Sequence, residues 1–248
     1  MKISIVTVSY NSAETIESTI KSVLSQKISD LEYIIIDGGS TDNTLSIIES
    51  FKDKITVVVS EPDKGIYDAM NKGLIRATGE IIGVLNSDDI YADENVLQDV
   101  MSEFSTGQHL DILFGDLVYV QKYNTDKIIR KWRSRAYFNN FFETGNVPPH
   151  PSLFLRSIVY KQAGLFDLQY NLAADYEFML RIFKRYPFKS KYIKRLIVKM
   201  RLGGATNKSI KNIFNGNKEI LQAWKNNGLK APLTLMPLRI IKRIIQFF

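Results

Sequence analysis

Short apolar runs alternate with segments of helical periodicity over residues 1–90, and this alternation limits the possible folds more than any other feature. Four runs have the length and composition of buried strands: Ile3–Val8, Leu31–Ile36, Ile55–Val59 and Ile81–Leu85. The intervening segments carry apolar residues at helical spacing: Ile16, Ile20, Val23 and Leu24, then Leu45, Ile47 and Ile48, then the stretch Ile66–Ala77. Strands that alternate with helices predict a mostly parallel sheet with helices on both faces. The expected fold class is therefore α/β.

A short polar segment follows each predicted strand. These segments are Ser9-Tyr10-Asn11, Asp37-Gly38-Gly39, Ser60-Glu61-Pro62-Asp63 and Asn86-Ser87-Asp88-Asp89. The carboxyl ends of parallel strands meet at one edge of the sheet, and ligands of such sheets bind there. We therefore expect the four segments to form one polar crevice.

The last of these segments places two adjacent carboxylates, Asp88 and Asp89, directly after a buried strand. Adjacent carboxylates repel each other unless a cation lies between them, and a hard divalent cation bound to phosphate oxygens is a natural candidate. The same residue types are also typical of turns and helix caps. Taken alone, the segment supports a metal site and a turn equally.

The rest of the chain continues the mixed pattern. We predict a helix over Asp93–Phe104, a strand over Asp111–Val120 that pairs with Lys127–Trp132, a helix over Ala173–Tyr186, a strand over Lys191–Met200 and a helix over Asn207–Lys225. Residues 133–149 are aromatic and irregular, which predicts a loop rather than a core element. The tail after Pro232 is short, apolar and basic.

Charge and cysteine content narrow the class of protein. Residues 178–248 contain 17 Lys and Arg and one acid, Glu219, whereas residues 1–177 contain 16 bases and 25 acids. This asymmetry predicts an anionic partner, and nucleic acid, anionic lipid and a pyrophosphate-linked substrate all qualify. The chain has no cysteine and shows no signal-peptide pattern at its start, so we expect a cytoplasmic location.

Five short motifs occur in a fixed order along the chain. They are Thr7-Val8-Ser9-Tyr10-Asn11, Ile36-Asp37-Gly38-Gly39-Ser40-Thr41-Asp42, the stretch from Asp63 to Gly73, Leu85-Asn86-Ser87-Asp88-Asp89, and Ala174-Asp175-Tyr176-Glu177. Together they resemble the family 2 glycosyltransferases, inverting enzymes with the GT-A nucleotide-sugar fold. The likeness covers about residues 1 to 205. It implies a glycosyltransferase domain over 1–205, with a nucleotide-binding half (1–110) and an acceptor half (111–205), followed by a basic helical extension (206–248).

The first three motifs supply residues for binding a nucleotide. A base needs a π face and a carboxylate that accepts its N–H, and Tyr10 and Asp37 form such a pair, as the resemblance also implies. The alternatives are a packed tyrosine and a turn aspartate. Lys64 and Asp68 are the candidates for the ribose and diphosphate, although a solvated helix N-terminus is the alternative. Thr7 belongs to the first motif and is included among the substrate-binding residues.

The resemblance assigns the acidic segment to a metal. It implies that Asp88 ligates a divalent cation, Mg²⁺ or Mn²⁺, and that Asp89 supports it. The family often has aspartate where this chain has Asn86. An amide can hydrogen-bond a ribose hydroxyl but brings no charge, so we expect weaker metal affinity.

The resemblance also identifies the catalytic base. Displacement at a sugar C1 needs a group that takes the proton of the acceptor hydroxyl, and Asp175 matches that position. The alternative for Asp175 is a helix N-cap, a role that does not exclude that of the base, and Glu177 is the second candidate for the base. His150 lies in a proline-rich loop, and it is interpreted either as structural or as lining the acceptor or diphosphate site.

The tail places Arg239, Lys242 and Arg243 among bulky apolar residues at helical spacing. This pattern is typical of a helix at a membrane surface, and a terminal helix packed on the domain is the alternative.

The predicted partners are a nucleotide sugar, a saccharide acceptor linked to polyprenyl diphosphate, and the inner face of the bacterial cytoplasmic membrane. The predicted activity is transfer of a hexose or N-acetylhexosamine from a UDP-sugar in O-antigen, capsule or exopolysaccharide assembly.

Two rival functions are less consistent with the sequence. A sugar-phosphate nucleotidyltransferase would share the sheet and the metal, but such enzymes carry a glycine-rich basic loop after the first strand, and Ser9-Tyr10-Asn11-Ser12 is not one. A nucleic-acid-binding module would use the basic C-terminal part but leaves the N-terminal carboxylates unexplained. We therefore expect no nucleic-acid partner.

Overall fold

The computed structural model of the protein describes residues 1–106, 109–203 and 210–247. Its strands are β1 (Ile3–Ser9), β2 (Leu31–Asp37), β3 (Val57–Ser60), β4 (Ile81–Asn86), β5 (Asp89–Tyr91), β6 (Ile112–Gln121), β7 (Asn124–Trp132), β8 (Leu153–Arg156) and β9 (Ser190–Arg201). Its helices are α1 (Ile16–Leu24), α2 (Thr44–Glu49), α3 (Ile66–Arg76), α4 (Val96–Thr106), α5 (Ser157–Ala163), α6 (Ala174–Lys184), α7 (Ile210–Asn226) and α8 (Leu235–Ile245). Short 3-10 turns occupy Lys52–Lys54 and His150–Ser152.

One sheet runs through the described part of the chain in the order β3-β2-β1-β4-β8-β6-β9-β5, with β7 paired to β6. The first four strands are parallel, as is the β6–β9 pair, whereas β5, β7 and β8 run antiparallel to their neighbours. In the parallel part Ser9 is level with Asp37, and Asp37 is level with Ser60. The carboxyl ends of β1, β2 and β3 therefore meet at one edge, as predicted.

The alternation of side chains along β1 builds a separate apolar layer on each face of the sheet. Ile3 and Ile5 pack with residues of α1, α2 and α4, while Val6 and Val8 pack with residues of α3, α5 and α6. Helices thus cover both faces, and the predicted α/β class is confirmed.

The C-terminal helices share the second of these layers. Trp224 of α7 and Leu235 at the start of α8 are both fully buried in the same cluster as α6. The first residues of the helix predicted over Asn207–Lys225 lie outside the described residues, and the described part of α7 ends at Asn226.

Two parts of the fold differ from expectation. Three short elements, β5, β8 and α5, were not predicted, because each is at most seven residues long and too short to show a clear period. Residues 133–149 form a loop, as predicted, but the expectation that this loop is not a core element is wrong. Phe141 and Phe142 of this irregular segment are buried and join the aromatic cluster around Phe183.

Glu32 of β2 stabilises the amino-terminal edge of the sheet. Its buried carboxylate accepts hydrogen bonds from Lys2 Nζ (2.7 Å), Ser4 Oγ (2.5 Å), and Thr78 N and Oγ1 (2.7 and 2.6 Å). Burial opposes ionisation, but these donors outweigh it and lower the pKa of Glu32 to about 2. Because the folded pKa lies below the unfolded one, the stabilisation is present above about pH 4.5 and is lost as the pH falls toward about 2.

We expect Glu32→Gln to lower the free energy of unfolding by about 3 kcal/mol at pH 7, since an amide cannot accept all four donors. Urea unfolding at several pH values measures the effect, which should shrink steadily below about pH 4.5. Glu17→Gln is the control, because Glu17 pairs with Lys21 on an exposed helix face and should contribute about 0.5 kcal/mol or less. A loss that is the same at pH 3 and pH 7 would contradict the assignment.

Candidate functional site

Asp37 holds the ends of the first three strands together. It is fully buried, and its carboxylate accepts hydrogen bonds from Ser9 Oγ (3.1 Å), Gly39 N (3.1 Å), Ser40 N and Oγ (2.8 and 2.5 Å) and Ser60 Oγ (2.8 Å). These donors occupy both carboxylate oxygens. The predicted direct contact between Asp37 and a base would require one of these donors to turn away. In this structure Asp37 organises the wall of the crevice.

Tyr10 presents the accessible aromatic surface at this edge. Its side chain follows β1 and is 63% exposed. The next residue, Asn11, adopts a left-handed backbone conformation (φ 48°), and its Oδ1 accepts a hydrogen bond from Thr41 N (2.9 Å). The loops after β1 and β2 are therefore fixed to each other, with the Tyr10 ring available for stacking.

Asp63, which the sequence placed in the crevice but not among the candidate binding residues, has its carboxylate against Gly38. A Cβ on Gly38 would collide with Asp63 Oδ2, so the absence of a side chain there makes room for the acid. Asp63 Oδ1 accepts a hydrogen bond from Gly65 N (2.8 Å). The glycine pair after Asp37 was the signal in the sequence, since close approach of this kind requires glycine.

Lys64 and Asp68 lie at the start of α3, where they were predicted. Asp68 Oδ2 accepts a hydrogen bond from Lys64 N (3.0 Å), and it lies 3.6 Å from Lys72 Nζ. Asp68 therefore shapes the turn into α3, which agrees with the solvated-helix alternative. The Lys64 side chain is exposed beside this turn and is the cation available to an anionic ligand.

The acidic turn after β4 is packed more tightly than a solvent-exposed turn. Asp89 is fully buried, Ser87 is buried and Asp88 is half-buried. Asn86 Nδ2 donates to Asp89 Oδ2 (3.3 Å), and Ser87 Oγ lies 2.8 Å from Ser12 Oγ in the loop after β1. Burial, and then the charge of Asp88, raise the pKa of Asp89 well above its usual range.

The residues of this turn fit part of the coordination shell of a hard cation. Asn86 Oδ1 and Asp89 Oδ1 are buried and have no hydrogen-bond partner in the described chain. No group of three or more His, Asp or Glu side chains among the described residues could hold a metal ion alone. Mg²⁺ commonly binds one or two carboxylates together with substrate phosphates. The turn can therefore supply Asp88 and its neighbours, with phosphate oxygens completing the shell.

Arg201, at the end of β9, holds the backbone of the acidic turn, a contact that nothing in the sequence indicated. Its buried guanidinium donates from Nη1 to Asp88 O (2.8 Å), from Nε to Lys122 O (2.9 Å) and from Nη2 to Ser18 Oγ (2.9 Å). Burial lowers the pKa of Arg201, while the charges of Asp89 and Asp88 oppose that shift. This cation offsets part of the negative charge of the turn.

Asp175 lies in the first turn of α6, and its side chain is half-buried. Tyr67 OH donates a hydrogen bond to Asp175 Oδ1 (3.0 Å), which links α6 to the start of α3. Burial lowers the pKa of His150, and the charge of Asp175 offsets only part of that shift. His150 is buried against the Phe166 ring, with centroids 5.5 Å apart. The structure thus brings Asp175, Tyr67 and His150 into one neighbourhood.

Glu219 fixes the loop that leads to Asp175. From α7 it accepts hydrogen bonds from the backbone N–H groups of Asn171 (3.2 Å), Leu172 (2.8 Å) and Ala173 (2.9 Å). It is the single acid of the basic C-terminal part, which was the only hint in the sequence. Because Glu219 acts on the entry to α6, it positions Asp175 without touching it.

Two predicted candidates, Glu177 and Thr7, have side chains engaged in buried contacts within the fold. Glu177 is buried, and its carboxylate accepts hydrogen bonds from Arg181 Nε and Nη2 (both 3.0 Å) and Asn227 Nδ2 (3.0 Å), so it is engaged in a structural ion pair. Thr7 is fully buried inside β1, where its hydroxyl accepts a hydrogen bond from Tyr33 OH (3.2 Å). The structure therefore places Thr7 in the core and not in the crevice.

Solved structures of other proteins share this architecture. The S. aureus protein TarS, crystallised with UDP, superposes with a TM-score of 0.69 at 20% identity, over 96% of this chain and 68% of that one. Glucosyl-3-phosphoglycerate synthase from Mycobacterium tuberculosis, crystallised with Mn²⁺, UDP and phosphoglyceric acid, gives a TM-score of 0.67 at 16% identity, over 92% and 79% of the two chains. At these identities the similarity shows a common fold, and it confirms the predicted GT-A architecture.

Sequence comparison identifies the family. An uncharacterised glycosyltransferase from Mycobacterium tuberculosis (strain CDC 1551) is 30% identical over 184 residues, which cover 72% of this chain and 68% of the relative. The family described as Glycosyl transferase family 2 matches residues 4–162, more than half of the chain. This match spans the four parallel strands, the crevice at their ends and the acidic turn after β4. The chain therefore belongs to glycosyl transferase family 2.

Proposed function

We propose that this glycosyltransferase moves a hexose or N-acetylhexosamine from a nucleotide sugar of the UDP type to a saccharide on a lipid carrier, with inversion at the anomeric carbon. The observation that carries the proposal is the placement of Tyr10 and the Asp88–Asp89 turn after neighbouring parallel strands, β1 and β4. An aromatic face beside an acidic turn suits a base joined to a diphosphate. TarS and glucosyl-3-phosphoglycerate synthase, which share the fold, were crystallised with UDP.

The chemistry assigned to Asp175 is proton transfer. The acceptor oxygen attacks C1 of the donor sugar, the bond from C1 to the diphosphate oxygen breaks, and the electron pair leaves with the nucleotide diphosphate. The acceptor hydroxyl gives its proton to the Asp175 carboxylate. Tyr67, whose OH donates to Asp175 Oδ1, fixes the orientation of that carboxylate and leaves Oδ2 to receive the proton.

The acidic turn would hold Mg²⁺ or Mn²⁺ through Asp88, with Asn86 and Asp89 beside it. When bound, the cation supplies positive charge that neutralises the departing diphosphate. Arg201 fixes the Asp88 backbone for this task, because its Nη1 donates to the Asp88 carbonyl oxygen. Lys64, exposed at the start of α3, adds a second positive charge at the same edge of the sheet.

We also propose that α8 lies on the surface of a membrane, in agreement with a lipid-linked acceptor and a place on the inner face of the bacterial cytoplasmic membrane. None of the described helices is long and apolar enough to cross a bilayer. The outer face of α8 and the residues just after it expose large apolar side chains, each at least half exposed: Ile240, Ile241, Ile244, Ile245 and Phe247. Such a face beside Lys242 and Arg243 suits an interfacial helix.

Sedimentation with phosphatidylglycerol vesicles tests this contact. We expect the double variant Ile241→Ser/Ile245→Ser to sediment with the vesicles less than the wild type does. Equal sedimentation of the two proteins would refute the contact.

A donor panel tests the function itself. The protein is incubated with UDP-, GDP- and dTDP-sugars in the presence of Mn²⁺ or Mg²⁺, and release of the nucleotide diphosphate is followed. We expect consumption of at least one UDP-sugar, abolished by EDTA. Absence of consumption with every donor, with and without added membrane extract as an acceptor source, would overturn the proposal.

A further inference from the structure

Helix α8 is held against the domain at both ends. Leu235 at its start is fully buried, and Gln246 O, just past its end, accepts a hydrogen bond from Lys131 N of β7 (2.8 Å). In between, the backbone of Leu238 and Arg239 lies against Gly145, where a Cβ would come within 2.9 Å of Arg239 N. Gly145 has a φ of +77°, so close approach and backbone conformation both require glycine there. The position of α8 is therefore built into the fold.

This docking turns Arg239 inward, toward the catalytic aspartate. The Arg239 guanidinium lies 4.6 Å above the ring of Tyr176, the residue that follows Asp175. Burial lowers the pKa of Arg239, while the charge of Asp175 acts in the opposite direction. No salt bridge among the described residues involves Arg239. A half-buried cation without an anion in direct contact is costly unless a ligand supplies one.

Arg243 adds to the positive charge at the same place. It lies one helical turn beyond Arg239, is exposed, and its charge further lowers the pKa of Arg239. Guanidinium groups bind phosphate oxygens through paired, charge-assisted hydrogen bonds. Stacking on Tyr176 holds the plane of Arg239, which favours such a planar contact. The isoleucines on the outer face of α8 occupy the side of the helix away from these arginines.

We propose that Arg239, assisted by Arg243, binds the diphosphate of a prenyl-diphosphate-linked acceptor, at a site separate from the donor diphosphate site at Asp88. This inference rests on the proposed function only in taking the acceptor to be a lipid-linked sugar. It assigns the C-terminal helix two tasks: its outer face contacts the lipid surface, and its inner face holds the acceptor headgroup beside Asp175.

Trp224 provides a direct readout of this site. Its Nε1 donates to Tyr176 OH (2.9 Å), so a ligand on Arg239 changes the surroundings of the residue to which the indole is bonded. The only other tryptophan is Trp132, and Trp132→Phe leaves Trp224 as the single emitter. In that background we titrate farnesyl diphosphate, farnesol, inorganic pyrophosphate and phosphatidylglycerol vesicles, each with UDP and Mn²⁺ at saturation.

We expect a saturable change with farnesyl diphosphate, a weaker one with pyrophosphate and none with farnesol. Arg239→Gln should weaken farnesyl diphosphate binding by about tenfold or more, and Arg243→Gln by about threefold. Lys225→Gln, an exposed cation at the end of α7, is the matched control and should change nothing. UDP affinity should be the same in all four proteins, which also shows that each variant is folded.

Several results would overturn the inference. The first is equal binding of farnesyl diphosphate by wild type and Arg239→Gln. The second is an equal response to farnesol and to farnesyl diphosphate. The third is a response to phosphatidylglycerol vesicles with no response to farnesyl diphosphate. Competition between farnesyl diphosphate and UDP would place the ligand in the donor site instead. If UDP-sugar is consumed but farnesyl diphosphate does not bind, the glycosyltransferase function stands and this site does not.

Discussion

Replacing Asp175 by asparagine is expected to reduce sugar transfer by about a thousandfold, while the affinity for the donor nucleotide changes little. A positioned general base contributes about 10² to 10⁴ in rate, and an amide of the same shape cannot accept the proton. The introduced amide could still take a hydrogen bond from Tyr67, so the fold of the first turn of α6 should persist. The loss should therefore appear in kcat and not in nucleotide binding.

Nucleotide release in the presence of acceptor measures the rate, and calorimetry with UDP measures binding. Asp126→Asn is the matched control, because Asp126 is 90% exposed at the side chain and pairs with Lys199 at 3.1 Å on the surface. Tyr67→Phe gives an intermediate case: it removes the donor to Asp175 Oδ1 but keeps the ring, and we expect about a tenfold loss. The N-cap position of α6 is Ala173, so Asp175 is not the helix cap that the sequence allowed. If Asp175→Asn retains a tenth of wild-type turnover or more, its carboxylate only binds Tyr67 OH and the base lies elsewhere.

The elements that the sequence predicted well are those with a clear local pattern of apolar residues. The strands β1, β2 and β4 are continuous apolar runs, and their polar ends lie at one edge because parallel pairing leaves no other arrangement. The same logic located Tyr10 and the Asp88–Asp89 turn, whereas Asp175 was predicted from the family resemblance alone. It could not establish what each side chain bonds to. Asp37 was interpreted as open to a base, yet five hydrogen bonds from its own chain surround it.

The supporting residues could not be predicted, because they come from distant parts of the chain. Arg201 bonds to the carbonyl of Asp88 across 113 positions, and Glu219 reaches Leu172 across 47. Local spacing carries no information about such pairs. The tail shows a related limit: its pattern predicts an amphipathic helix, but only packing around Gly145 shows that Arg239 faces inward and that the isoleucines face out.

Asp88→Asn is expected to remove most of the stimulation of donor consumption by Mn²⁺, with a loss of about a hundredfold or more in turnover. The acidic turn offers few anionic ligands, since Asn86 is neutral and the burial of Asp89 raises its pKa. We therefore expect the affinity for the cation to depend chiefly on the Asp88 carboxylate. The amide keeps the size of the side chain, and the bond from Arg201 to the backbone carbonyl of residue 88 does not depend on that side chain.

The decisive measurement is the affinity for UDP with and without Mn²⁺. In the wild type, Mn²⁺ should tighten UDP binding, because metal and diphosphate complete each other's coordination. In Asp88→Asn this tightening should nearly vanish, while UDP binding in EDTA stays as in the wild type. Glu94→Gln is the control, since Glu94 lies shortly after the acidic turn in the sequence but forms an exposed ion pair with Lys27. If Asp88→Asn keeps the full effect of Mn²⁺ on UDP, the two adjacent acids form a structural turn, and the diphosphate must be neutralised by cations such as Lys64 instead.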